Sequence, residues 1–352
     1  MVYIILSVFV LTALLAFVED RLPKKYNMIL YLFLGFVLVL VAGLRKIGVD
    51  PDSQNYEMYY LKYYDLRLAD AVEYSFILIS SILNHISKDV HVLFVFYAII
   101  GVSLKFAAFR KYSPYLFLTL VVYLGYYYEL HEITQIRTGI LSGLFLLAII
   151  EMAEDRKWMA FILIATGSFF HTSGLILFPL LFLKNKELNR LDILIWALII
   201  PASYLIYFVS DGLNMVYDIP YIGRKLALYQ AAEVTGQTEV AVNVFSPMQL
   251  FAVLLYYYML FFSTTITTYN RYFPIMIKIF GIGICCYVVF SFLPVLAERM
   301  SYLLRIVSVI LYTDISYTIR PRWAGILAVE LLALLYLNYS LQPFDFVLFW
   351  SV

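Results

Sequence analysis

The sequence predicts an all-α polytopic membrane protein of about twelve transmembrane helices, and three observations carry that prediction. Hydrophobic residues make up 63% of the 352-residue chain and charged residues only 14%, against about a quarter charged in ordinary soluble domains. The apolar runs have the length of a membrane-crossing helix, roughly 20 residues, rather than the alternating ten-residue segments of a transmembrane barrel. What remains between them is too short for a sizeable soluble domain, so the whole chain, 1–352, reads as a single transmembrane domain. A formal net charge of +1 supplies no basic footprint for nucleic acid, and no nucleic-acid partner is expected.

The first run, 2–18, has no positive segment before it and no small-residue cleavage site after it, so it is expected to remain as a span. Lys and Arg concentrate in cytoplasmic loops. The following loop, E-D-R-L-P-K-K at 19–25, is therefore placed in the cytosol and the N-terminus outside. The second run, 28–44, then delivers the polar stretch 45–56, reading R-K-I-G-V-D-P-D-S-Q-N-Y, to the outer face. Segment 71–86 is short and carries Glu73, Ser80, Ser81, Asn84 and His85, which suits an amphipathic helix lying on that outer surface. Counting it as a span would put Arg110/Lys111, Arg156/Lys157 and the K-N-K-E-L-N-R loop outside, against the charge rule. Leaving it out gives further spans at 90–109, 114–130, 138–153, 157–171, 173–183, 191–209, 246–266, 274–293, 300–318 and 323–340, with both termini outside.

Fourteen of the twenty-five Lys and Arg residues then face the cytosol, while Lys105 and Arg305 fall within spans. The external parts are a loop at 45–70, the interfacial helix at 71–87, and a loop at 210–245 that reads equally as a lid or a solvated insertion. Cys285 and Cys286 are adjacent in an apolar run, where neither a disulfide framework nor zinc spacing is possible, and are expected to pack. The 32 Tyr and 28 Phe suit interfacial belts and surfaces that stack on sugar rings.

Four polar segments fall on the outer face: 45–56, 131–137 (H-E-I-T-Q-I-R), 170–173 (F-H-T-S) and 298–305 (E-R-M-S-Y-L-L-R). Ionisable groups near spans are usually paired or line a cavity, and the planar fork of arginine suits a phosphate or pyrophosphate. Arg137 and Arg299 each begin a helix just inside an apolar run. Arg305 lies about two turns deeper and needs a partner, either Glu298 or Asp314 structurally or an anionic ligand functionally. Arg67, Arg224 and Lys225 are expected to snorkel to lipid phosphates. His171 reads either as a general base for a sugar hydroxyl or as the cap of a tight turn. It has no metal-ligand spacing with His85, His91 or His131, so no metal is expected. Within 45–56, Gly48 permits a turn, Pro51 fixes the backbone, and Asp50 or Asp52 can cap the helix that begins at Ser53. One carboxylate is then left to bind an arginine, orient the base or hold an acceptor sugar. With no Walker or dinucleotide motif, no cofactor is expected.

Taken together, R-x-x-G-x-D followed by N-Y (Arg45, Gly48, Asp50, Asn55, Tyr56), I-R-x-G-I (Ile136, Arg137, Gly139, Ile140), F-H-x-S (Phe170, His171, Ser173) and a late E-R (Glu298, Arg299) carry a likeness. In that order the chain resembles the EpsG-type branch of the bacterial Wzy polysaccharide polymerases over most of its length. It departs in having Thr138 after the second arginine and Pro51-Asp52 after the aspartate. The resemblance implies a GT-C-like architecture, a multi-pass place in the bacterial cytoplasmic (inner) membrane, and glycosyl transfer on the outer face. There a growing glycan on undecaprenyl diphosphate would move onto a newly flipped lipid-linked repeat unit. Arg137 and Arg299 would hold the diphosphate, with His171 or Asp50 as base, and Arg45, Asp52, Tyr56, Gln135 and Arg305 would shape the substrate sites. Implied partners are the lipid-linked oligosaccharide, membrane lipids, a chain-length regulator and a flippase. The competing classes are a lipid-linked glycan flippase or transporter, a related ligase or lipid-sugar-dependent glycosyltransferase, and a structural assembly subunit.

Overall fold

The computed structural model describes residues 1–65, 72–209 and 242–342, and every regular element among them is helical. In chain order these are α1 (Val2–Val18), α2 (Lys24–Gly43), α3 (Ser53–Leu61), α4 (Tyr74–Ile86), α5 (His91–Tyr112) and α6 (Leu116–Gly125). A wide π-helical turn (Glu129–Thr134) leads into α7 (Ile136–Ala153), followed by α8 (Lys157–Phe170), a 3₁₀ helix (Thr172–Phe182) and α9 (Arg190–Val209). The remainder comprises α10 (Pro247–Phe261), α11 (Ser263–Tyr269), α12 (Phe273–Val289), α13 (Pro294–Arg305), α14 (Ser308–Asp314) and α15 (Arg322–Ser340). The expected loop 210–245 falls almost wholly outside the described residues, and Arg67, Arg224 and Lys225 lie outside them entirely.

The protein is a polytopic, all-helical membrane protein. Among the described residues, the run Val2–Arg21 and helices α2, α5, α7, α9 and α15 are long and apolar enough to cross a membrane. The α10–α11 pair would make a seventh span across a 77° bend, and α4, α6, α8, the 3₁₀ helix and α12 are shorter apolar helices. Several continuous spans expected from hydropathy are therefore interrupted. The run at 114–130 stops at Gly125, where Tyr126 turns to φ −153°, ψ −50°, outside helical space. The run at 300–318 is divided directly after Arg305 into α13, α14 and a single 3₁₀ turn. At 173–183 the chain winds as 3₁₀ around Pro179, which has no N–H to give to a ladder. The helix anticipated at 71–86 forms as α4, its Ser75, Phe76, Ser80 and Asn84 buried.

By their contacts the described residues form two units, one drawn from 1–185, 268–272 and 309–342, the other from 186–209, 242–267 and 273–308. In the first, α7 packs between α5 and α8, α2 lies against α5, and α6 is held by α1 and α15. Apolar transfer gives no drive between helices already in lipid, so close backbone approach matters more than bulk hydrophobicity. Gly143 shows this: a Cβ built on it would come within 2.7 Å of Leu104 Cβ, so only glycine lets α7 lie that near α5. The short helices α3 and α4 pair with each other, and α4 also touches α5 and α8. In the second unit α12 packs with α9, α10 and α13. The α9 face is the least covered of the candidate spans, with Leu194, Leu198 and Leu205 exposed as they are on a lipid-facing helix.

Candidate active site

The stretch after α2 folds into a closed latch. Gly48 turns at φ +82°, a conformation costly for any residue with a Cβ, and its N–H donates to Ser53 Oγ at 2.8 Å. The turn carries Asp50 back to Arg45, whose Nε donates to Asp50 Oδ2 at 3.0 Å and whose Nη1 donates to the Ala42 carbonyl at 2.7 Å. The guanidinium lies 3.8 Å from the centre of the Phe94 ring, and His91 Nε2 meets the Arg45 carbonyl at 3.0 Å. Asp50 Oδ1 accepts from the Asp52 N–H at 3.2 Å. Asp52 occupies the N-cap position of α3 without a side-chain cap bond, so the expected carboxylate cap does not form.

A second group is assembled from three separate elements. The Glu73 side chain, at the N-cap of α4, makes no capping hydrogen bond to its own helix. Its Oε2 instead accepts from Arg137 Nη1 in the first turn of α7. Its Oε1 accepts from the Thr172 N–H at 3.2 Å and lies 3.9 Å from His171 Nε2. Burial works to raise the Glu73 carboxyl, but the Arg137 guanidinium, His171 and the Thr172 N–H outweigh it and hold it below the ordinary carboxylate range. Arg137 also reaches the Tyr56 phenol and lies 5.8 Å and 5.9 Å from the Tyr56 and Phe76 ring centres. Burial, set against the nearby Arg137, pushes that phenol up to about 12, so it stays a neutral donor. Arg137 Nε is buried and has no hydrogen-bond partner among the described residues, a cationic donor left over for a ligand.

His171 fulfils the capping role considered for it. Its Nδ1 accepts from the Ser173 N–H at 3.1 Å at the start of the 3₁₀ helix. That bond leaves the neutral ring's proton on Nε2, the nitrogen turned toward Glu73.

Exposure separates the two groups. The Arg137, Glu73 and His171 side chains keep 16%, 12% and 9% of their surface open, whereas Arg45 and Asp50 keep 0% each. A ligand can reach the first group and not the second. Tyr56 links them, since both Arg137 and Arg45 act on its phenol. Gln135, half-buried, occupies the N-cap position of α7 two residues before Arg137.

In the second unit, Arg305 Nη1 donates to Gln249 Oε1 at 3.0 Å and Ser301 Oγ at 3.4 Å, and the guanidinium lies 5.8 Å from the Phe280 ring centre. Gln249 and Ser301 are thus partners of this deep cation that sequence did not suggest. Asp314, one partner considered for it, accepts from Asn270 Nδ2 at 2.7 Å. Arg299 is exposed on α13 beside Glu298. Among the described residues no three His, Cys, Asp or Glu side chains converge as a metal site.

Glu73 is the residue that sequence reasoning passed over, treating it only as polarity on an amphipathic segment. Its signal was a carboxylate directly before an apolar helix with no cation a turn away.

Comparison with known proteins places the chain among proteins of polysaccharide biosynthesis. The amylovoran biosynthesis protein AmsC of Erwinia amylovora is 22% identical over 351 residues, covering 93% of this chain and 90% of that protein. No solved structure matches the chain. A family model described as the EpsG family matches residues 28–346, a range that takes in every side chain of both ion-paired groups, and the chain belongs to that family.

Proposed function

We propose that this protein is a polysaccharide polymerase that transfers a growing glycan from a polyprenyl diphosphate to an incoming lipid-linked repeat unit, on the outer face of the cytoplasmic membrane. EpsG membership and the likeness to an amylovoran biosynthesis protein support a role in polysaccharide synthesis. The observation that carries the chemistry is the Glu73–Arg137–His171 group: a reachable arginine with an unused buried donor, set on an aromatic wall beside a carboxylate and an imidazole.

In this reaction the acceptor hydroxyl attacks the anomeric carbon of the donor sugar. The bond from that carbon to the diphosphate oxygen breaks, and the lipid diphosphate leaves with the electron pair. Charge grows on that diphosphate oxygen, and a fixed cation in a water-poor site stabilises it far more than it would in bulk solvent. Arg137 supplies that cation. The Glu73 carboxylate takes the proton from the attacking hydroxyl, with His171 Nε2–H turned toward it, while the buried Tyr56 and Phe76 rings back Arg137. Asp50, sealed against Arg45, serves as a structural anchor rather than as base.

The test uses purified full-length protein in lipid with lipid-linked repeat units. A ladder of product lengths that vanishes in R137A and H171A supports the polymerase. A single addition indicates a transferase. Ladder formation by R137A sinks the proposal.

A further inference from the structure

A second buried polar cluster in the first unit does no chemistry in the scheme above. Lys105 of α5 is completely buried. Its Nζ donates to Glu132 Oε1 at 2.5 Å and to the Gly139 carbonyl at 2.6 Å. The Tyr123 hydroxyl donates to the same Glu132 oxygen at 2.9 Å. Glu132 belongs to the π-helical turn and Gly139 to the first turns of α7, so one ammonium bridges the break between them. At that break Gln135 sits at φ −100°, ψ 61°, and its N–H reaches five residues back to the Leu130 carbonyl at 2.7 Å. The packing there leaves no room for a side chain on either glycine. A Cβ on Gly139 would collide with the His131 carbonyl, and one on Gly101 with the Glu132 carboxylate.

A buried ion pair of this kind is often no more stabilising than well-packed apolar side chains of the same volume, because both charges must be stripped of water. Its value here is positional. A π-turn holds one residue more than the α-turn it would relax into. Losing that residue would rotate the following helix by about 100°. Arg137 stands between Glu132 and Gly139, and such a rotation would swing its side chain away from Glu73. We propose that Lys105 and Glu132 are positioning residues that fix the rotation of Arg137 about the α7 axis. This matters to catalysis only on the reading that Arg137 serves the diphosphate.

The test compares full-length wild type, K105M/E132M, and both again with E73A, in thermal unfolding and in polymer formation. The double variant removes both charges while keeping apolar bulk, so it is expected to fold and to melt below wild type, by at least what E73A costs wild type. Turnover is expected to fall on the order of a hundredfold, the effect of a displaced catalytic group, with little change in half-saturation. E73A is expected to lower the melting temperature of wild type and not of the double variant, because the Glu73–Arg137 bond is already lost there. Wild-type turnover, or an equal E73A effect in both backgrounds, overturns the proposal. Should the double variant not assemble, K105M alone replaces it, since it removes both bonds of the ammonium and leaves the Tyr123–Glu132 bond in place. A folded K105M with reduced turnover supports the proposal, and one with full turnover overturns it. R137A run alongside separates the two ideas: an active R137A removes the polymerase reading, while the E73A comparison still decides the positional claim.

Discussion

Glu73 and Arg137 are 64 residues apart in sequence and meet directly, carboxylate to guanidinium, at the point where the amino ends of α4 and α7 converge. The Glu73 oxygen that Arg137 does not use accepts from Thr172. One carboxylate thus ties together the two residue types, arginine and histidine, that the proposed chemistry needs.

The geometry of that tie makes lysine a poor substitute for Arg137. Lysine offers a point charge where the site presents a planar fork shared between Glu73, Tyr56 and a vacant Nε–H position. R137K is expected to fold and to lose about a hundredfold in turnover, the scale of removing one preorganised donor. Initial rates of chain extension, normalised to folded protein, measure this.

Glu73 also predicts a pH dependence of stability. Its folded-state pKa lies below its ordinary value of 4.5, so the unfolded chain binds the proton more readily. The contribution of the charged carboxylate is therefore fully present above about pH 4.5 and is lost as pH falls through the depressed folded value. Wild type is expected to melt above E73Q at neutral pH, with the gap closing on acidification below about pH 4. A gap that stayed constant across that window would show that the carboxylate charge is not what the site holds.

The Arg45–Asp50 latch should behave as a structural element. D50A strands a buried guanidinium and is expected to cost about 3–5 kcal/mol, whereas R45M/D50L removes both charges and recovers most of that loss. Chemical denaturation in a defined detergent gives the comparison. Turnover per folded R45M/D50L molecule is expected to stay within a few-fold of wild type, which an Asp50 acting as proton acceptor could not allow.

Gly143 tests the packing of α7 on α5. G143L drives a side chain into Leu104, and overpacking of this kind costs about 1–3 kcal/mol. The expected result is a lowered melting temperature, partly restored by L104A.

Much of this molecule can be read from its letters, for identifiable reasons. Hydropathy carries the fold class, because lipid forces every backbone group into a helix or closed barrel. Ser53 could be placed at the start of α3 because Gly48 and Pro51 punctuate the chain just before it. Arg137 and His171 stood out as polar residues at the ends of apolar runs. The interruptions were hidden. A hydropathy window marks the residues before α7 only as a polar gap and does not show that Glu129–Thr134 winds as a π-helical turn, and it does not register the 3₁₀ winding around Pro179, which is as apolar as the helices beside it. Glu73 and Lys105 were hidden for a different reason. Each acquires its meaning from a partner on another helix, and no local pattern encodes that distance.

Among the candidate spans α7 is the most enclosed, with 78% of its apolar window covered by protein, while α9 has only 11% covered and α1 and α2 each 33%. Thickening or thinning of the surrounding bilayer is met by tilt and deformation of the helices that touch it. That mechanical load falls on the less covered helices, and the one bearing Arg137 is the most insulated from it. Altered lipid composition should therefore be felt first in how long the protein survives in the membrane and only later in the alignment of its reactive groups.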